Sequence, residues 1–406
     1  MKHRIVVLGA GYAGAFVAGT LARRLSRTDT EITVVNAVPD FVQRLRLHQL
    51  AAGQAIENPQ LTDVFAGTGI QLRPARVTAV DAERRIVTVA DADGGGELEY
   101  DTLVYALGSH GDTSGLPGAA EHAFDIASRP AALRLRERLE KLDQRTGGGT
   151  VLIIGDGLTG IESATEIAES RPGLSVTLIA RGELGARLSA GARKHLRRVC
   201  DRLEVAVLEN TSVETVEAER VLCTDGTVLA SDATVWTAGF AVDPIAAEAG
   251  VDVTDDGRIV VDRTMQSVSH PGIYAIGDAA YAIGDNGRPL PMSCASAGYT
   301  GTQAVEAIIA RLTGREVRRT KLLYYGNHIS LGRRDGIVQM VDDEGAAKPK
   351  HTGGRTAALI KTGVVKTSLW ATSHPTFGMP KRKNRVTAEP RALTAVRTPD
   401  TPAEIA

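Results

Sequence analysis

The sequence predicts an α/β fold of two parallel-sheet domains, each opened by a strand, a glycine turn and a helix. Three observations predict it. A strand–glycine–helix–strand pattern opens the chain, the pattern recurs near residue 150, and a later strand ends in Gly277-Asp278. At 406 residues the chain exceeds one comfortable hydrophobic core, so two or three domains are expected.

The first unit reads as a buried strand over 4–8, a glycine turn, a helix over 12–25 and a second strand over 31–35. Strands are expected over 76–81, 85–90 and 98–105, with a turn cluster over 91–96. Glycines at 147–149 lead tightly into the second unit: a strand over 150–154, a helix over 159–170 and a strand over 174–179. This is duplication of a βαβ unit rather than a short solenoid repeat. A strand over 273–276 closes on Gly277-Asp278, and a helix over 300–312 follows. Beyond Lys321 the pattern is mixed, and the tail from Pro380 is polar and proline-containing, the composition of a disordered segment.

Bulk properties exclude several classes. An apolar content of 43% with 23% charged residues is that of a soluble globular protein, and a net charge of -1 lacks the basic footprint of a nucleic-acid binder. Cys200, Cys223 and Cys294 stand apart, so no disulfide framework, zinc spacing or CxxC pair can be drawn, and a reducing cytoplasm fits. Lys2, His3 and Arg4 ahead of an uncharged run to Ala22 imitate a signal peptide. Gly9, Gly11, Gly14 and Gly19 within that run suit a strand–turn–helix instead.

The glycines carry the chemistry. In Gly9-Ala10-Gly11-Tyr12-Ala13-Gly14 the first glycine makes a tight turn and the second admits a pyrophosphate to the backbone. The third lets helix and strand pack closely, and the helix N-terminus then faces the phosphates with free N–H groups. Gly155-Asp156-Gly157-Leu158-Thr159-Gly160 repeats this arrangement, and two intact fingerprints in one chain point to two dinucleotides on Rossmann-like domains. Ile273 to Ala280 sets one carboxylate, Asp278, at a strand end where backbone can approach a ligand. Val104 to Ser109, containing Ala106 and Gly108, is the segment that accompanies it.

With these motifs in this order, the chain resembles the FAD-dependent pyridine nucleotide oxidoreductases, and within them the type II NADH dehydrogenases, over roughly residues 4–330. The resemblance implies that the first unit binds FAD, through Gly9, Gly11, Tyr12, Ala13 and Gly14. It implies that the second binds NADPH or NADH, through Gly155, Gly157, Leu158, Thr159 and Gly160. Asp278, beside Gly277, would hold the ribityl chain, with Ala106 and Gly108 marking the crossover between domains. The implied division is an FAD domain at 1–113 and 255–325, an inserted NAD(P) domain at 114–254, a C-terminal region at 326–380 and a tail at 381–406. Glu162, with Glu166 one turn later, is the candidate catalytic residue near nicotinamide and flavin.

Several residues depart from the family pattern. Asn36 stands where an acidic residue usually holds the adenosine ribose, and an amide can still bind a diol. Arg181, with Arg187 nearby, ends the matching strand of the second unit, where arginine favours the 2′-phosphate of NADPH. Cys294 occupies roughly the place of the glutamine of quinone-reducing relatives, and no paired cysteines exist for disulfide reduction. Arg44 and Arg46 are set where adenine or pyrophosphate would pass, and His48 and Gln49 near the flavin. Arg333-Arg334 reads as a solvated loop.

The expected activity is hydride transfer from NAD(P)H to FAD and onward to a quinone or other small-molecule electron acceptor. Two alternatives stand beside it: a reductase for a ferredoxin-like partner protein, and a slow-turnover redox sensor. No metal is assigned, because His270, His328 and His374 are scattered. The segment 354–370 carries apolar residues at helical spacing with Lys361 and Lys366, a pattern that suits either peripheral attachment to the inner face of a membrane or packing against the body of the protein or a partner subunit of a homodimer.

Overall fold

The computed structural model describes residues 1–92, 94–374 and 384–387. His3–Leu8 lies at the centre of a five-stranded parallel sheet, in the spatial order Ile273–Ala275, Thr102–Tyr105, His3–Leu8, Thr30–Asn36, Gln71–Pro74. A second five-stranded parallel sheet runs Ala206–Leu208, Ser175–Ile179, Thr150–Ile154, Ala233–Trp236, Ala123–Phe124. In each, the strand order reverses beside the strand that precedes the glycine turn. That switch point is where an open α/β sheet leaves a crevice for a ligand.

Both central strands are apolar on both faces because helices cover each side: Ile5, Val7, Leu8, Val151 and Ile153 are fully buried. The helices Tyr12–Arg24 and Leu158–Ser170 follow the glycine turns and return the chain to the neighbouring parallel strand.

The expected strand over 98–105 is two strands. Gly96–Glu99 joins Arg76–Asp81 and Ile86–Ala90 in an antiparallel sheet, whereas Thr102–Tyr105 enters the first parallel sheet. Tyr100 and Asp101 make the change, Asp101 accepting from the Arg4 backbone N–H at 2.7 Å. The apolar run continues across that corner, so periodicity gives no sign of it. The helix expected over 300–312 begins earlier, at Cys294, because Ser293 caps it through the Ser296 N–H.

Two short strands, His110–Gly111 and Phe240–Ala241, pair antiparallel where the chain crosses from one parallel-sheet domain to the other and back. Ile245, Ala246 and Val251 already pack in the first core, ahead of residue 255.

The mixed C-terminal stretch forms an antiparallel sheet of Gly326–Ser330, Gly336–Val341 and Ala347–Gly353, followed by the helix Gly354–Ser373. Its Ile329, Leu331 and Ile337 are fully buried in the second core beside Ile161 and Ile167. Leu331→Ala is expected to cost about 2–5 kcal/mol in urea unfolding, because the cavity would open between two rigid elements. Most of the expected tail lies outside the described residues; Asn384 is buried and its backbone N–H donates to the Arg24 carbonyl at 2.8 Å.

Candidate active site

The two glycine turns are built alike. Gly9 has φ +93°, and a Cβ there would stand 2.4 Å from the Ala106 carbonyl oxygen. A Cβ on Gly14 would stand 2.0 Å from the Gly9 oxygen, which is the close helix–strand packing expected of a third glycine. Gly155 has φ +114°, and a Cβ on Gly160 would stand 1.8 Å from the Gly155 oxygen. The middle glycines differ: Gly11 and Gly157 have nothing within 4 Å of an added Cβ.

Both middle glycines are N-caps with no side-chain hydrogen bond to the helix. By contrast, Ser128, Ser189 and Ser293 cap the helices at Arg129, Ala190 and Cys294. A helix N-terminus with free N–H groups, open space in front and no cap is a cradle for an anion. The residues therefore fit a pyrophosphate at each turn. Tyr12, Ala13, Leu158 and Thr159 form the first turns of these helices, and Leu158 is exposed.

Asn36 spends its amide locally. Its Oδ1 accepts the Ala10 N–H at 2.8 Å and its Nδ2 donates to the Val38 carbonyl at 2.7 Å. One lone pair and one N–H remain for a diol, so Asn36 first fixes the glycine turn. Arg46 donates to Gln49 Oε1 at 2.8 Å, at the start of the short helix Leu47–Ala51.

Gly277 takes φ +67° and its N–H donates to Thr300 Oγ1 at 3.0 Å, turning Asp278 off the sheet edge. Asp278 Oδ2 accepts from Ser109 Oγ at 2.7 Å, which brings Gly108, with φ +73°, to the same place as the sequence motifs suggest. Burial and the Asp278 carboxylate push the Cys294 thiol up to about 11, so it stays protonated at neutral pH. Arg181 and Arg187 are exposed at the end of the Ser175–Ile179 strand, whereas Glu183 between them pairs with Arg193 at 2.6 Å.

Glu162 is buried, and its Oε1 accepts from Lys361 Nζ at 3.0 Å and from the Ser330 backbone N–H at 2.9 Å. Lys361 also donates to the His328 carbonyl at 2.8 Å. Burial pushes the Glu162 carboxyl up, but Lys361, His48 and the Ser330 N–H outweigh it and hold it below its ordinary value. Burial pushes the His48 imidazole down, so it is held neutral, with its Nε2 buried and unpartnered.

The same helix face holds the C-terminal sheet in place. Thr165 Oγ1 accepts the Gly332 N–H at 3.1 Å, and Glu169 accepts the Arg333 N–H. Arg333 is thus not simply solvated: its Nε donates to the buried Glu166 at 3.1 Å. Lys361, Ser330 and Arg333 escaped sequence reasoning as partners of this helix. They lie more than 160 residues away from it, and no local pattern announces such pairing.

Two glycine turns whose open helix N-termini fit pyrophosphates, set on two parallel-sheet domains joined by a double crossover, suit a protein of two dinucleotides. Residues 3–301 match the family described as pyridine nucleotide-disulphide oxidoreductase, and the chain belongs to that family. It is an FAD-dependent oxidoreductase of nicotinamide nucleotides.

An NADH dehydrogenase-like protein of Mycobacterium tuberculosis is 31% identical over 356 residues, covering 82% of this chain and 87% of that protein. A type II NADH:quinone oxidoreductase of Staphylococcus aureus is 27% identical, covering 89% and 93%. Among solved structures, a sulfide:quinone oxidoreductase of Aquifex aeolicus superposes with a TM-score of 0.78 at 18% identity, covering 92% of each chain.

Proposed function

We propose that the chain is an NADPH-preferring dehydrogenase that passes electrons to a small organic acceptor of the quinone class. The observation that carries this reading is the pair of helix N-termini at Gly11 and Gly157 that have no side-chain cap and open space in front. FAD, when bound, supplies a centre that accepts a hydride and releases two electrons in turn. The chain supplies everything else. Gly9 to Gly14 and Asp278 hold the flavin nucleotide, and Gly155 to Gly160 hold the nicotinamide nucleotide. Arg181 and Arg187, both exposed at the adenosine end of the second unit, favour a 2′-phosphate.

Reduction of a quinone consumes protons as well as electrons. Glu162 and Lys361, joined at 3.0 Å, are the buried groups suited to hold a proton for it, which deepens the role expected of Glu162. The quinone class is supported by the likeness to the Staphylococcus aureus enzyme, and Cys294 is a free cysteine without the cysteine partner that thiol–disulfide exchange needs.

Turnover of NADPH with a water-soluble quinone, measured from low to high salt, tests this reading. A rate that hardly changes with salt supports a small neutral acceptor. Turnover that requires a ferredoxin-like protein and collapses with salt contradicts it, and negligible turnover with every acceptor returns the sensor reading. Arg181→Glu is expected to raise the KM for NADPH on the order of ten-fold or more while leaving NADH less affected, since one charge contact with phosphate is reversed.

The reading extends to location. Among the described residues no helix is long and apolar enough to cross a membrane. Leu359, Ile360, Val364 and Trp370 are nevertheless exposed on the Gly354–Ser373 helix, with Leu359 at 73%. We place this helix on an anionic bilayer surface, where apolar side chains enter and the exposed Arg355 and Lys366 meet headgroups. Co-sedimentation with vesicles of anionic lipid, lost in Leu359→Glu, is the expected result.

A further inference from the structure

Arg44 was set by the sequence near adenine or pyrophosphate. In the structure its side chain is tied to both crossovers. It begins the one-turn helix Arg44–Arg46, directly after the buried Gln43, whose amide is tied to the Glu57 carbonyl. From this anchored base its guanidinium reaches the first crossover, donating through Nη1 to the Ser109 carbonyl and through Nη2 to Ser109 Oγ at 3.0 Å. The Ser109 hydroxyl donates in turn to Asp278 Oδ2 at 2.7 Å. The guanidinium carbon also lies 5.7 Å from the centre of the Phe240 ring, on the second crossover.

The crossovers are slight. Their two strands pair over only two residues each, His110 with Ala241 and Gly111 with Phe240. A two-residue ladder resists bending weakly, and these segments share the join between the domains with the short helix Leu47–Ala51, whose Leu47, Leu50 and Ala51 pack in the second core. A single charged side chain grips both crossovers, and through Ser109 it is joined to the strand-end carboxylate of the first domain.

We propose that Arg44 is a positioning residue that sets the second domain against the first, and so the distance across which a hydride passes between their two nucleotides. Asp278 enters this relay on the reading that it faces the flavin's ribityl chain; the grip on Ser109 and Phe240 does not depend on that reading. Hydride transfer needs reacting atoms at close approach, and an ångström of misplacement lowers the rate on the order of 100-fold. A residue 5.7 Å or less from both crossovers and outside the glycine cradles controls that distance without holding either nucleotide.

Arg44→Met in the FAD-loaded protein tests this. Amide hydrogen exchange over 108–113 and 239–242 is expected to quicken, with the rest of the second sheet unchanged. The limiting rate of anaerobic flavin reduction is expected to fall about ten- to 100-fold, with flavin content and the half-saturating nucleotide concentration retained. The isotope effect with 4-deuterated nucleotide is expected to rise. Arg44→Lys, which keeps the charge but loses the fork, should recover only part of the rate.

Loss of flavin from a folded Arg44→Met protein would overturn the proposal, making Arg44 a flavin ligand. Unchanged exchange together with an unchanged limiting rate would overturn it too. If Arg44→Met does not fold, Ser109→Ala must show the same exchange signature more weakly, and unchanged exchange there counts against the proposal. Failure of the wild-type protein to be reduced by either nucleotide would sink the proposed function while leaving the exchange result to judge the hinge.

Discussion

Gly160→Ala is expected to abolish reduction by nicotinamide nucleotides while leaving FAD in place, and Gly14→Ala is expected to release FAD. The two substitutions are the same chemical change, one methyl group, placed in equivalent positions of the two units. In each the new Cβ collides with the carbonyl oxygen of the first glycine of its own turn, at 1.8 Å for Gly160 and 2.0 Å for Gly14. A backbone oxygen cannot swing aside as a side chain can. Relief therefore requires the helix N-terminus to move off the strand, carrying with it the N–H groups that meet the pyrophosphate. Gly160 has a second conflict, with Thr237 Oγ1 at 2.7 Å, which accompanies the strand bordering the switch point. The checking measurement is flavin content by absorbance together with the rate of anaerobic bleaching. Equal loss of flavin from both variants would contradict the assignment of one nucleotide to each unit.

Lys361→Met is expected to destabilise the protein by about 3–5 kcal/mol near neutral pH, since it strands a buried carboxylate without its cation. Glu162 is only 8% exposed, and among the described residues the Ser330 N–H and the Lys361 ammonium satisfy its Oε1. The sign of the pH dependence follows from the cited shifts. In the wild type the folded carboxyl lies below its ordinary value, so the stability it contributes is present above about pH 4.3 and lost as pH falls through the folded value. His48, held neutral by burial, adds a loss of stability as pH falls below about 6.5, because the unfolded imidazole takes up the proton first.

In the variant the Lys361 contribution is gone and burial, the largest cause acting on Glu162, is opposed only by His48 and the Ser330 N–H, so its folded value is expected to rise. The stability deficit should then shrink as pH is lowered toward the carboxylate range. Urea midpoints measured from pH 7.5 to 4.5 check this, and a deficit that stays constant with pH would contradict a buried ion pair. Adding Glu162→Gln to Lys361→Met should recover part of the loss, whereas two independent surface sites would simply add. With the proton-holding pair gone, oxidation of reduced flavin by quinone is expected to slow on the order of 100-fold while reduction by NADPH is retained.

How much of this was written locally in the chain differs from element to element. The glycine turns were fully legible, because the three glycines do three separate jobs and each leaves a residue with no substitute. The central strands were legible because burial on both faces makes them continuously apolar. The corner at Tyr100 and Asp101 was not, since an apolar run reads the same whether it continues straight or changes sheets.

Glu162 could be singled out from the second fingerprint, but its partners could not. Lys361 sits on a helix whose local pattern suggests only an amphipathic face, and Ser330 contributes a backbone N–H that any residue but proline has. Arg333 looked solvated because its neighbours are charged; what engages it is the opposite helix face. The partners of Arg44 were hidden for a similar reason. Its place after the second strand suggested only the nucleotide, and the crossovers that it grips are brought to it by the insertion of a whole second domain.

The central claim is that a nicotinamide nucleotide on the second unit reduces a flavin on the first. Anaerobic stopped-flow mixing of the purified FAD-loaded protein with NADPH, and separately with NADH, tests it most directly. Rapid bleaching of the flavin's visible absorbance, faster at low nucleotide concentration with NADPH than with NADH, is the predicted result. A bound flavin that neither nucleotide bleaches would contradict the account.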